Sequence, residues 1–224
     1  DRFDYQFEQQ LSPHPVPIAC KKEGDFRKLE DGAINYLKIT DDIDVAPIIR
    51  VIEGIDRETW AESQREIRYA VHADTQSLKL MHDRDFRHVY PTTWPLFDTF
   101  KDAISPILDI IEEHFGPDGE VIRIVLAKLK AGGVIPPHSD AQYSLRHCHR
   151  LHIPIVTNPA VDFFVGGEKK NMGVGEMWEI NNSTTHTVEN HSSLDRIHLI
   201  IDWAPGFTVR EEERQQILHR IFVE

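Results

Sequence analysis

The chain has 224 residues, of which 40% are hydrophobic and 28% charged, enough for a well-filled core and unlike a disordered composition. Its formal charge of -12, from 37 acidic against 25 basic residues, argues against nucleic acid as a partner, because phosphate binding needs a basic footprint. No apolar run reaches membrane-span length, DRFDYQFEQQ lacks the basic and apolar regions of a signal peptide, and two cysteines make no disulfide framework, so no membrane association and a cytoplasmic setting are expected.

The first forty residues are turn-rich, with one strand expected near Ala33–Ile39. A helical pattern follows from Asp44 to Ala70, with Pro47 in its first turn and apolar Ile48, Ile49, Val51 and Ile52. Thr75–Met81 alternates like a strand. Over Trp94–Phe115 a pair of helices is expected, the second opening on Ser105-Pro106 as N-cap and first-turn proline and ending at Gly116-Pro117.

Beyond residue 120 the character changes. VIRIVLAKLK, FFVGG, GEMWEINN and DRIHLIIDW are short β-branched or aromatic runs divided by Gly, Asn and Ser clusters, the pattern of an antiparallel sandwich or barrel. REEERQQILHRIF returns to a helical pattern. With no repeat and no linker, residues 1–224 read as one domain. Residues 1–120 are expected to buttress a jelly-roll-like β core at 121–205, with a helical tail at 206–224.

Histidine is unusually frequent, at 13 residues. His138 and Asp140 stand two apart in PPHSD, and alternate side chains of an extended segment can reach one ion. Two imidazoles and one carboxylate suffice for a mononuclear non-haem iron site with open positions. The third ligand must come from downstream, where His147, His149, His152, His186, His191 and His198 are available. His186, 48 residues on and at an expected strand end, is preferred; His191, in a polar turn, is the weaker alternative.

Arg196 lies inside the apolar run DRIHLIID, where a guanidinium is costly without an anion. Its partner is either an internal acid or the carboxylate of a bound cosubstrate. In HRLHIPIV, Arg150 and His152 share one face of a strand, facing a cavity or solvent. His72, Asp74, Thr75, Gln76 and Ser77 form a polar cluster opening a strand and are candidate substrate contacts.

PPHSD, RLHIPI, INNSTTHTVEN and DRIHLIIDW together resemble the aspartyl/asparaginyl β-hydroxylase family of iron(II)- and 2-oxoglutarate-dependent oxygenases, which includes bacterial proline hydroxylase-like enzymes. The resemblance covers roughly Val121 to Pro205. It implies a mainly β fold with flanking helices and a double-stranded β-helix core (a jelly roll, cupin-like). It also implies Fe(II) held by His138, Asp140 and His186, with 2-oxoglutarate as cosubstrate and its distal carboxylate on Arg196. Arg150 and His152 would contact carboxylates of cosubstrate or substrate. Ala127 stands where some members carry a serine that helps hold 2-oxoglutarate. The expected activity is a dioxygenase using O2 to hydroxylate a C–H bond of a small amino-acid-like or peptide substrate. The alternatives are a protein Asp/Asn side-chain β-hydroxylase and a non-catalytic cupin-like binding module.

Overall fold

The structure is a computed structural model, and it describes residues 34–61, 70–83, 91–117, 119–140 and 142–205. Eleven strands are present among them: β1 (Tyr36–Thr40), β2 (Thr75–Asp83), β3 (Pro91–Thr93), β4 (Gly119–Leu129), β5 (Val134–His138), β6 (His149–Val156), β7 (Val161–Val165), β8 (Glu168–Lys170), β9 (Met177–Ile180), β10 (His186–Asn190) and β11 (Arg196–Pro205). The helices are α1 (Ala46–Glu53), α2 (Arg57–Ala61), α3 (Phe97–Phe115) and α4 (Tyr143–His147), with a short 3-10 turn at Ala70–His72.

Seven strands form one sheet in the order β1-β9-β6-β11-β4-β2-β3, and four form a second in the order β5-β10-β7-β8. Every strand pair is antiparallel. This is the mainly β, jelly-roll architecture with flanking helices that the strand pattern led one to expect. One feature of it differs. The first half of the chain does more than buttress, since β1 pairs with β9 and β2 with β4 inside the large sheet.

Period-two alternation divides the large sheet between two environments. Ile197, Leu199, Ile201 and Trp203 of β11 and Leu151, Ile153 and Ile155 of β6 join the core under the helices, with Ile48, Phe100 and Ile104. The intervening residues Arg196, His198 and Asp202, with Arg150 and His152, are turned the other way, toward the four-stranded sheet. There a second apolar cluster forms from Leu129, Phe163, Val165, Trp178, Ile180 and Val188. The β6 strand lies centrally, between β9 and β11, so its polar face is interior rather than the solvent face of an edge.

The expected helix pair is a single 19-residue helix, α3, that runs through Pro106. Proline removes one backbone hydrogen bond and crowds the preceding turn, at a cost of about 3 kcal/mol. Phe100, Ile104, Ile107, Ile111 and Phe115 form one continuous buried stripe across that position, and its burial outweighs the local cost. Gly116, at φ 83°, ends the helix as expected. The helical pattern from Asp44 divides into α1 and α2 at Gly54, and its last part, residues 62–69, lies outside the described residues, as does the expected C-terminal helix.

Phe100 is fully buried in the helix-side core, so Phe100→Ala should lower unfolding free energy by about 3–5 kcal/mol, read by urea denaturation.

Candidate metal centre and anion pocket

His138 is the last residue of β5 and His186 the first of β10, and the two pair directly across the antiparallel ladder. Their rings lie 4.3 Å apart between centroids. Asp140 follows β5 in a loop pinned by its own N–H, which donates to the carbonyl of Asn182. One possible ligand atom from each of His138, Asp140 and His186 falls within 4.8 Å of the others. The spacing argument thus selects three residues that the ladder brings together.

Both imidazoles are oriented by backbone. Nδ1 of His138 lies 2.8 Å from the Pro136 carbonyl, and Nδ1 of His186 lies 2.9 Å from that of Thr184. A carbonyl can only accept, so each Nδ1 carries the proton and each Nε2 presents a lone pair. Burial lowers the pKa of His186, although Asp140 opposes it, and this keeps the ring in the neutral form that metal coordination needs. Burial would raise the Asp140 carboxyl, but Arg150, His186 and Asn182 hold it below its ordinary value. Two imidazoles and a carboxylate fit a divalent transition metal.

A second polar group lies on the same inner face. Arg196 is 1% exposed, and its Nη2 is 2.6 Å from Nδ1 of His198. Among the described residues no carboxylate offsets its charge, and burial alone pulls its pKa down to about 9. Among the described residues its Nε has no hydrogen-bond partner, nor has Nε2 of His198 or of His152. His152 sits between Phe163 and His198, at 5.3 and 5.7 Å between ring centroids. Burial, then Arg196, hold both histidines well below the usual imidazole value, so both are neutral at pH 7. His198 accepts from Arg196 at Nδ1, which leaves Nε2–H as a free donor. A buried guanidinium beside such a donor is a cradle for an anion.

Arg150 is placed differently from the expectation. Its Nε and Nη2 each lie 2.8 Å from an oxygen of Asp202, and Nη1 donates to Oδ2 of Asp140 at 2.7 Å. Two carboxylates already neutralise it, so it is not a second unpaired positive charge awaiting a substrate carboxylate. Arg123 also pairs with Asp202 and with Asp83, and donates to Ser144 at 3.2 Å. Burial would raise Asp202, but Arg150 and Arg123 hold it far below the ordinary carboxyl range.

The polar cluster at residues 72–77 does not act as one group. The His72 ring is 5.8 Å from that of His138 and so lies beside the metal centre. Thr75 and Ser77, both buried, sit on β2 across β4 from the Arg196 and His198 positions, through Leu129 and Ala127. Gln76 alternates to the other face with Leu78, and so is turned away from the site. Asp74 accepts from the Val134 N–H at 3.0 Å, and serves the turn before β5. Of the other histidines, His149 lies on the helix side against Glu179, and His191 is exposed beside Glu189.

Sequence reasoning passed over Arg123, Asp202, Asn182 and the pocket role of His198. The signal for two of them was present. His198 and Asp202 follow Arg196 at even spacing in RIHLIID, so alternation alone puts them on its face. Asn182 belongs to a turn, where no periodicity predicts orientation.

Comparison with known proteins places this site in context. Residues 100–205 match the family model described as aspartyl/asparaginyl beta-hydroxylase. All three ligand candidates and all of the inner-face residues from Arg123 to Asp202 lie in that segment. L-Proline cis-4-hydroxylase of Rhizobium meliloti (strain 1021) is 28% identical over 96 residues, which is 42% of this chain. The match spans 34% of that enzyme's length. Among solved structures, a viral collagen prolyl hydroxylase from Paramecium Bursaria Chlorella virus-1 is similar at 12% identity and a TM-score of 0.48, over 78% of this chain and 98% of that one. A 2OG-Fe(II) oxygenase family protein from Burkholderia pseudomallei is similar at 14% identity and a TM-score of 0.47, over 58% of this chain and 66% of that one.

Replacing either histidine by alanine removes one candidate ligand without changing the strand backbone it sits on. His138→Ala and His186→Ala should each abolish stoichiometric Mn(II) binding, measured by electron paramagnetic resonance, with an unchanged circular dichroism spectrum. Retention in His186→Ala with loss in His191→Ala would reassign the third ligand. A second expectation concerns acid. The folded pKa of Asp202 is depressed, so the stability it adds is complete above its unfolded value of about 4 and is lost as pH falls toward the folded value. Asp202→Asn should cost about 3–5 kcal/mol at neutral pH and flatten the acid limb of the stability profile.

Proposed function

We propose that this chain is an Fe(II)- and 2-oxoglutarate-dependent dioxygenase that hydroxylates an unactivated C–H bond of a small amino-acid-like or peptide substrate. The observation that carries this reading is Arg196, a fully buried guanidinium with no carboxylate partner among the described residues, on the same inner face as the two-histidine, one-carboxylate set. A metal alone would leave that charge unexplained. An anionic cosubstrate with a second, metal-binding end accounts for both.

In this reading His138, Asp140 and His186 hold Fe(II), and Arg196 with His198 holds the distal carboxylate of 2-oxoglutarate. When bound, the metal and cosubstrate supply the oxidising power for C–H hydroxylation with O2, while 2-oxoglutarate is converted to succinate and CO2. The protein's share is binding, orientation and exclusion of water. The planar guanidinium fixes the direction of the carboxylate, and the neutral His198 adds a donor without adding charge. Phe163, Val188, Leu129 and Trp178 line the same interior with apolar surface, which keeps water from competing. His72 stands at the mouth beside His138 and is the first candidate for contact with substrate. No helix among the described residues is long and apolar enough to cross a membrane. A reducing cytoplasm suits a ferrous ion.

The deciding experiment is succinate formation from 2-oxoglutarate with Fe(II), screened against free amino acids, short peptides and Asp- or Asn-containing polypeptides. Free amino acids or short peptides should stimulate turnover. Stimulation by polypeptides alone would favour a protein side-chain hydroxylase, and no 2-oxoglutarate turnover by the metal-loaded protein would remove the oxygenase reading. Arg196→Lys keeps the charge but loses the paired fork, so 2-oxoglutarate should bind about tenfold or more weakly, on the order of 1–3 kcal/mol. Unchanged affinity in that variant would return Arg196 to a structural role.

A further inference from the structure

The two histidines of the metal centre are aimed by carbonyls of their own strand ends, two residues away in each case. Asp140 has no such local device. Its carboxylate is held at one oxygen only: Oδ2 accepts from Arg150 Nη1 at 2.7 Å and from Asn182 Nδ2 at 3.1 Å. Oδ1 accepts no hydrogen bond from the described residues.

Arg150 is itself immobilised. Its fork is bidentate on Asp202, at 2.8 Å on both arms, and Asp202 is in turn bound by Arg123, which also pairs with Asp83. The result is a line of alternating charge, Asp83, Arg123, Asp202, Arg150, Asp140, that starts at the end of β2, crosses β4, β11 and β6, and ends at the metal centre. Four of its five side chains are 0–12% exposed, and Arg150 is the most accessible at 13%. Each interior member is flanked by two opposite charges, so the line is stable only when complete.

We infer that Arg150 is a positioning residue for the metal centre: anchored on Asp202, it holds Oδ2 of Asp140 and so fixes the direction of that carboxylate toward His186, whose Nε2 lies 4.0 Å from the same oxygen. This rests on the metal-centre reading above and deepens it. It also bears on the substrate, because a substrate carboxylate reaching Arg150 would have to compete with two carboxylates already in place. Substrate recognition then falls to groups nearer the mouth. A planar fork that bonds two carboxylates at once is only partly replaced by lysine, which keeps the charge but not the paired, fixed geometry.

The test is a double-mutant cycle read by Mn(II) affinity from electron paramagnetic resonance, in the absence of 2-oxoglutarate and substrate. Arg150→Met should weaken Mn(II) about tenfold to a hundredfold, as loss of a group that orients a ligand does, and Arg150→Lys less. In an Asp140→Asn background the same change should have little further effect, because Arg150 acts through Asp140. A group that merely supported the fold would lower the affinity by the same factor in both backgrounds, and that additivity would overturn the inference. If Arg150→Met does not fold, the cycle with Arg150→Lys carries the test. Undiminished Mn(II) affinity in the Arg150 variants overturns this inference alone. A wild-type chain that binds no Mn(II) overturns the metal-centre reading and this inference with it.

Discussion

Ionic side chains inside a β sandwich must be compensated, and the inner face of the large sheet is organised by that requirement. Arg123, Arg150 and Arg196 occupy three neighbouring strands and share one face, where water cannot solvate them. Two of them meet Asp202, whose carboxylate lies between them on β11. An ion in such a place is stabilised only by close, well-directed opposite charge. The packing around Asp202 therefore cannot relax without stranding two guanidinium groups. Rigid strands and fixed charges reinforce each other there, and the loop that carries Asp140 is tied to this rigid part.

The third arginine marks the other end of the same face. Where Asp202 satisfies Arg123 and Arg150, Arg196 meets, among the described residues, a neutral histidine and the ring of Phe163, 5.8 Å from the guanidinium. The contrast is informative because the three residues share a fold environment and differ in their partners. A saturated guanidinium is structural or positions its neighbour. An unsaturated one, more deeply buried than Arg150, carries a cost that an anion would offset. Of the three candidate metal ligands, Asp140 is tied to the saturated end through Arg150.

The histidines on this face also divide by partner. His138 and His186 give their Nδ1 protons to carbonyls and keep Nε2 for coordination. His198 accepts at Nδ1 and keeps Nε2–H for donation. The same side chain thus leaves a different group at Nε2 in each place, and the neighbour at Nδ1 decides which. Burial supports both roles by disfavouring the imidazolium form.

Much of this was legible in the chain itself. The period-two runs from residue 121 specify strands because each must bury one face, and the H-x-D spacing puts two ligand types within reach of one ion. The buried Arg196 followed from an arginine inside an apolar run. Alternation would also have disclosed that Asp202 shares its face. What alternation does not carry is pairing between strands distant in sequence. Asp202 meets Arg150 because β11 lies beside β6, and Arg123 because it also lies beside β4; that neighbourhood is set by topology, not by local sequence. For the same reason Arg150, expected to contact a carboxylate of cosubstrate or substrate, is held by Asp202 and Asp140. Pro106 illustrates the opposite limit. Local propensity asks for a helix start there, but one continuous apolar stripe packed on the sheet keeps the helix whole. Local periodicity determined which side chains point inward, and only the tertiary structure decided which of them meet, because charge compensation is a property of neighbours in space.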